Sequence, residues 1–209
     1  AALDAGEERI AACARAVAEA AAAYGTAAAT LSQARRTAAA RLERAVAREL
    51  PPLKLERTVF RAVLTPLSEA QWGPHGTEAA AFLIATNPGA EPGPIEKIAS
   101  GGELSRLMLA LKLVLARGSP IGTLVFDEVD SGIGGATAAA VGERLARLAE
   151  ATQILVVTHS PQVAARADAQ LRVAKRVSAK GAATVVEKLS GEARREELAR
   201  MLAGETVTD

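Results

Sequence analysis

Two short apolar runs, each ending abruptly in hydrophilic residues, set the tightest limit on what this chain can fold into. Leu124, Val125 and Phe126 run into Asp127 and Glu128, and the run ILVV at 154–157 runs into Thr158 and His159. Between them, Val141, Leu145 and Leu148 recur at helical spacing over residues 135–150. Upstream, residues 95–116 read IEKIASGGELSRLMLALKLVLA. A loop with a Ser100-Gly101-Gly102 tip turns at once into a helix, with Leu104, Leu107, Met108, Leu111 and Leu115 placed to face a core. The order loop, helix, strand, helix, strand, short helix, strand predicts an α/β fold, a parallel sheet with helices against it. Ligands of such sheets bind beyond the carboxyl ends of the strands. The residues directly after the two apolar runs are therefore the candidates for chemistry.

Each candidate has a physical rationale and a plainer alternative. Ser100 is placed as an N-cap, with Glu103 three residues on as in a capping box. Gly101 and Gly102 let a ligand approach the backbone, and the helix start favours an anion. An ordinary capped helix after a glycine turn has the same local pattern. Strand alternation points Asp127 and Glu128 in different directions. One carboxylate can then hold hydrated Mg²⁺, while the other orients or deprotonates a water; a solvated acidic turn is the alternative. His159 can donate a hydrogen bond to a phosphate, or can be a satisfied structural histidine.

The three stretches together narrow the choice. ASGGELSR resembles the signature motif of ABC-type ATPase heads, LVFDE the Walker B strand and VVTHS the H-loop. The fuller wording, SGGELSR then FDEVDSGIGG then THSPQVA, resembles the RecN family of DNA-repair ATPases, relatives of the SMC proteins. The resemblance covers most of the chain. It implies the C-terminal lobe of an ABC/SMC-type head using ATP and Mg²⁺. Asp127 belongs to the metal shell, Glu128 is the general base, and His159 reaches the γ-phosphate. Ser100, Gly101, Gly102 and Glu103 cap a nucleotide held by a second copy of the head. Asp130 and Ser131 are the D-loop candidates, although Gly134 stands where the broader ABC family has Asp. No GxxxxGK[ST] phosphate loop occurs in the 209 residues. That loop is expected in an N-terminal half of the same protein, and the 209 residues alone are expected not to hydrolyse ATP. The implied function is double-strand break repair and recombination, with ATP joining two heads and hydrolysis releasing them while DNA ends are held. A tether with ATP as a slow switch is the alternative. A transporter or excision-repair ATPase fits less well, because zinc-spaced cysteines and membrane-length apolar runs are absent from the sequence.

The rest of the chain fits around this lobe. In residues 1–50, Leu3, Ile10, Val17, Tyr24 and Leu31 fall seven apart, with small residues Cys13, Ala20 and Ala27 beside them. A strict seven-residue repeat predicts a coiled-coil seam, and a single amphipathic helix lying on the head is the alternative. The pattern then shifts to Leu42, Val46 and Leu50, and Pro51-Pro52 ends the helix. Residues 51–209 form the head. Within it, Leu53, Leu55, Val59 and Val63 predict a strand, residues 72–76 a turn, and EAAAFLIAT a returning strand closed by Asn87-Pro88-Gly89. His75 in that turn reads as solvated. After His159, LRVAKRV and ATVVEKL predict a hairpin. EARREELARMLAG predicts a helix stopped by Gly204, with Leu198, Met201 and Leu202 inward and its charges wet. Net charge is +1, so a DNA partner needs a local patch or another part of the full protein. Lys175, Arg176, Lys180, Lys188, Arg194 and Arg195 form either that patch or a solvated face. The single cysteine, Cys13, fits a small apolar helix residue in a reducing compartment. The chain opens inside a helical pattern without an initiator Met and reads as part of a longer, cytoplasmic, nucleoid-associated protein.

Overall fold

The computed structural model describes residues 2–87, 89–95, 100–116, 121–178 and 181–203, with side chains except at 2–5, 176–178 and 181. Pro88, Lys180, Gly204 and the side chain of Arg176, all invoked above, lie outside the described residues.

A single helix, α1 (Ala2–Glu49), opens the chain. At 1.5 Å per residue its 48 residues span about 72 Å. Its first half stands clear of the body: Ile10 and Val17, two of the seven-spaced residues, are 72% and 69% exposed. Tyr24, the next of them, stacks on Trp72 and donates its hydroxyl to the Gly73 carbonyl at 3.2 Å. Ala28 is the small residue buried there, rather than Ala27. Lower down, Val46 and Leu50 enter the main core, as the shifted pattern predicts.

Leu53 and Leu55 correct the reading of the following segment. They are not strand residues: Pro51–Leu53 is one 3-10 turn, and Leu53 and Leu55 are plugs beneath the end of α1. Neither of the two consecutive prolines has an N–H to donate to a ladder, and a tight turn satisfies the segment locally. The strand β1 (Val59–Pro66) begins later and buries Phe60, of the opposite parity to the predicted face, while Val59 is exposed. It pairs antiparallel with β2 (Glu78–Ala85), and the short β3 (Gly93–Pro94) adds to the far edge of β2. Glu43 of α1 accepts a hydrogen bond from the Ala62 amide at 2.9 Å, capping the free edge of β1.

The parallel part of the fold follows as α2 (Gly101–Leu115), β4 (Thr123–Phe126), α3 (Gly135–Ala149), β5 (Gln153–Val156) and α4 (Pro161–Ala164). β4 and β5 are parallel, with Phe126 opposite Val156. α3 buries Val141, Leu145 and Leu148 as expected. α2 does not keep to one stripe. It packs against both α1 and α3, so Arg106, Leu109 and Ala110 are buried with Leu107 and Leu111, while Leu115 is exposed. The β4–β5 pair is buried on one face only. Val125, Leu155 and Val157 are 66%, 48% and 61% exposed.

An antiparallel hairpin of β6 (Gln170–Ser178) and β7 (Gly181–Leu189) and a final helix, α5 (Gly191–Ala203), complete the fold. In α5 the buried residue is Glu197, whereas Leu202 is exposed. Glu197 meets Arg200 at 2.6 Å and Arg172 of β6 at 3.7 Å, so a charge rather than an apolar residue docks this helix. Arg194 donates to the Ala164 and Ala167 carbonyls at the end of α4, and Arg195 pairs with Glu192 at 2.9 Å. Lys175 and Lys188 remain exposed on the β6–β7 hairpin.

Candidate functional site

The start of α2 is built as its sequence predicts. Ser100 sits in extended backbone, and its hydroxyl accepts from the Glu103 amide at 3.4 Å. The return bond of a capping box, from Glu103 to the cap amide, is not present among the described residues. The glycines serve contacts within the chain. A Cβ at Gly101 would lie 2.5 Å from Glu128 Oε2. One at Gly102 would lie 3.1 Å from Arg106 Nη1, 3.1 Å from the Ser131 carbonyl oxygen and 3.2 Å from Ser131 Cβ.

The loop after β4 leaves the strand at once. Glu128 has φ of 57°, a left-handed conformation that costs a non-glycine residue on the order of 1 kcal/mol. Simple strand alternation therefore does not govern Asp127 and Glu128. Instead the Asp127 carboxylate accepts from the Glu128 amide at 2.9 Å, and both side chains are exposed. Ser131 N donates to the Glu128 carbonyl at 3.0 Å, closing a turn, and Val129 is fully buried as its anchor. Three donors hold the outer carbonyls. Ser105 Oγ reaches Asp127 O at 2.8 Å, Arg106 Nη1 reaches Ser131 O at 2.9 Å, and Lys54 Nζ reaches Gly132 O at 3.2 Å. Burial lowers the Arg106 pKa from its ordinary value, with the charge of Glu103 partly offsetting this.

The loop after β5 is tied to this one. Asp130 is 1% exposed, and its Oδ2 accepts from the Thr158 hydroxyl and from the Ser160 amide at 3.1 Å. Its carboxylate thus faces inward, toward its own chain. His159 lies between these two partners, with Nδ1 3.8 Å from Asp130 Oδ2 and its side chain 79% exposed. Ser160 caps α4 with extended backbone and is buried.

The predicted residues fall on one rim, at the carboxyl ends of the parallel strands. Ser100, Asp127, Glu128, Ser131 and His159 are exposed, Glu103 is half-buried, and Gly101 touches the Glu128 carboxylate. Sequence reasoning gave no role to Ser105, Arg106, Thr158 or Ser160, which hold this arrangement. The available signal was that Thr158 and Ser160 flank His159, and that a buried Asp needs donors. Among the described residues no group of three His, Cys, Asp or Glu side chains can hold a metal. Mg²⁺ does not need such a group, since it takes one or two carboxylates with phosphates and water. An exposed Asp127, oriented by the Glu128 amide, fits that use. No helix of the described residues is long and apolar enough to cross a membrane.

This architecture is similar in fold to part of an SMC head domain. The chain superposes on an Smc head domain with coiled coil and joint from Pyrococcus yayanosii with a TM-score of 0.54, at 22% identity, over 75% of this chain and 28% of that one. No family model matches. Curated relatives are nearer. The DNA repair protein RecN of Vibrio cholerae is 41% identical over 207 residues, 99% of this chain and 37% of that protein. That of Rickettsia bellii is 44% identical over 84% of this chain and 32% of its own length. That of Streptomyces coelicolor is 52% identical over 64% of this chain and 23% of its own length. The chain belongs to the RecN family, and it spans about a third of the length of the first two relatives.

Proposed function

We propose that this chain is the C-terminal part of a RecN-type ATPase acting in DNA double-strand break repair, with residues 1–50 a coiled-coil arm and 51–209 the head lobe. Mg²⁺ supplies charge neutralisation at the transferred phosphate, and Asp127 would hold it. Glu128 orients and deprotonates the attacking water. His159 donates to the γ-phosphate. Ser100, Gly101, Gly102 and Glu103 cover the nucleotide of a second head, with Ser131 beside them at the surface between heads. ATP between two heads makes contacts that only the closed pair offers, so binding favours closure and hydrolysis reverses it. DNA ends are held in the closed state, in the cytoplasm, on the nucleoid.

The observation that carries this reading is the acceptance by Asp130 of hydrogen bonds from Thr158 and Ser160. It keeps the Glu128 loop and the His159 loop at one rim. The uncovered face at Val125, Leu155 and Val157 supports an N-terminal half bearing the phosphate loop as its cover. The test is ATP turnover by the full-length protein. Glu128→Gln is expected to lower kcat by about 100-fold or more, and the 209-residue chain alone is expected to show none. Wild-type turnover in Glu128→Gln would overturn the assignment.

The free half of α1, with Ile10 and Val17 in water, favours a second reading. In it the arm and its partner strand form a tether, and ATP is a slow switch. DNA bridging that survives Glu128→Gln favours the tether; bridging that depends on turnover favours the ATP-driven cycle.

A further inference from the structure

We propose that Arg106 is a positioning residue that couples the two nucleotide sites of a head pair, by fixing the lid at Gly102 to the loop carrying Glu128. The inference rests on the reading above, in which Ser100–Gly102 touches one nucleotide and Glu128 serves the other.

Arg106 is 5% exposed, yet its one described hydrogen bond is to the Ser131 carbonyl at 2.9 Å. Its Nε is buried without a partner, and no carboxylate pairs with it among the described residues. A buried guanidinium so sparsely satisfied is a poor stabiliser, and a Met or Leu would fill the space at less cost. Its value lies in what it touches. Arg106 stands one helical turn after Gly102, and the two contact each other and Ser131 with no slack. A Cβ on Gly102 would press on Arg106, on the Ser131 carbonyl and on Ser131 Cβ together. Residue 102 is therefore glycine because this junction closes on it. From Ser131 the path is short: its amide donates to the Glu128 carbonyl at 3.0 Å. Ser105 adds a parallel link to the Asp127 carbonyl at 2.8 Å. A shift of the lid toward the nucleotide of the second head thus moves the backbone of this chain's own base and metal ligand. One nucleotide is sensed where the other is cleaved.

The experiment measures ATP turnover against ATP concentration in the full-length protein for wild type, Arg106→Met, Arg106→Lys and Gly102→Ala. Coupling predicts a sigmoidal wild type with a Hill coefficient approaching 2 for two sites, and a value of about 1 in Arg106→Met with turnover retained at saturating ATP. Arg106→Lys keeps a donor for Ser131 and is expected to recover part of the cooperativity, whereas a packing role predicts no such rescue. Gly102→Ala, which crowds the junction from its other side, is expected to bring the Hill coefficient toward 1 as well, whatever it does to turnover through the lid itself. It carries the test with Arg106→Lys if Arg106→Met does not fold. Wild-type cooperativity in Arg106→Met or in Gly102→Ala overturns the coupling, and so does a hyperbolic wild type. A wild type without turnover contradicts the reading of the site itself.

Discussion

The buried carboxylate of Asp130 accepts hydrogen bonds from the Thr158 hydroxyl and the Ser160 amide, fastening the loop after one parallel strand to the loop after its neighbour. His159 lies between the two donors and projects into solvent. The bond makes the placement of the histidine depend on the loop that carries Glu128.

Asp130→Ala removes the buried acceptor shared by the Thr158 hydroxyl and the Ser160 amide, leaving the two only their weaker contacts with each other. The expected loss is about 1–3 kcal/mol of stability. Asp130→Asn retains one acceptor oxygen and is expected to lose less. Urea denaturation of both variants beside wild type measures the difference; equal stabilities in all three would mean that the tie is not formed.

The two glycines of the signature loop separate in a similar test. At Gly101 an added methyl meets the end of an exposed, movable Glu128 side chain. Gly101→Ala is expected to change stability by no more than about 0.5 kcal/mol. At Gly102 it meets a backbone carbonyl and a buried arginine, so overpacking of about 1–3 kcal/mol is expected. Thermal melts that rank the pair the other way would contradict the described packing.

Leu53 is fully buried at the turn joining α1 to the head. Leu53→Ala is expected to destabilise by about 2–5 kcal/mol through lost burial and a residual cavity. Ile10→Ala, on the exposed half of the same helix, is expected to change the stability of this chain by no more than about 0.5 kcal/mol. Denaturation of the two variants checks both.

Glu197 gives a pH dependence. The hydrogen bond from Arg200 is the chief cause of its lowered pKa; burial opposes it, and the charges of Arg200 and Arg172 reinforce it. The folded state therefore binds this proton less readily than the unfolded chain. Its stabilisation is present above the ordinary glutamate value of 4.5 and is lost as pH falls through the lower folded value. Wild type is expected to lose stability more steeply than Glu197→Gln as pH falls through 4.5 and below. Parallel pH profiles of the denaturation midpoint would show that this group is not the cause.

Local patterning was enough for some elements and not for others. Val141, Leu145 and Leu148 lie on a helix packed on one side, so their spacing alone locates the buried face. The same reasoning misplaces α2, because a helix wedged between two others buries Leu109, Ala110 and Arg106 off the expected stripe. Leu53 and Leu55 imitate strand alternation, yet Pro51 and Pro52 set a turn there instead. In the site, the motifs pointed to Ser100, Asp127, Glu128 and His159, which the fold leaves exposed at one rim. The groups that hold them there could not be found by spacing, since Thr158 meets Asp130 across 28 positions and Arg106 meets Ser131 across 25. The open face of Val125, Leu155 and Val157 escaped as well, because an apolar run does not reveal which of its neighbours are supplied from elsewhere.

The most direct measurement is the association state of the full-length protein carrying Glu128→Gln, by sedimentation with and without ATP and Mg²⁺. A base that completes hydrolysis, beside a lid that covers a second head's nucleotide, predicts an ATP-dependent dimer. Adding Ser100→Arg, which places a bulky side chain on the lid, is expected to return the protein to its nucleotide-free state. An association state indifferent to ATP, or a dimer that survives Ser100→Arg unchanged, would contradict the shared site.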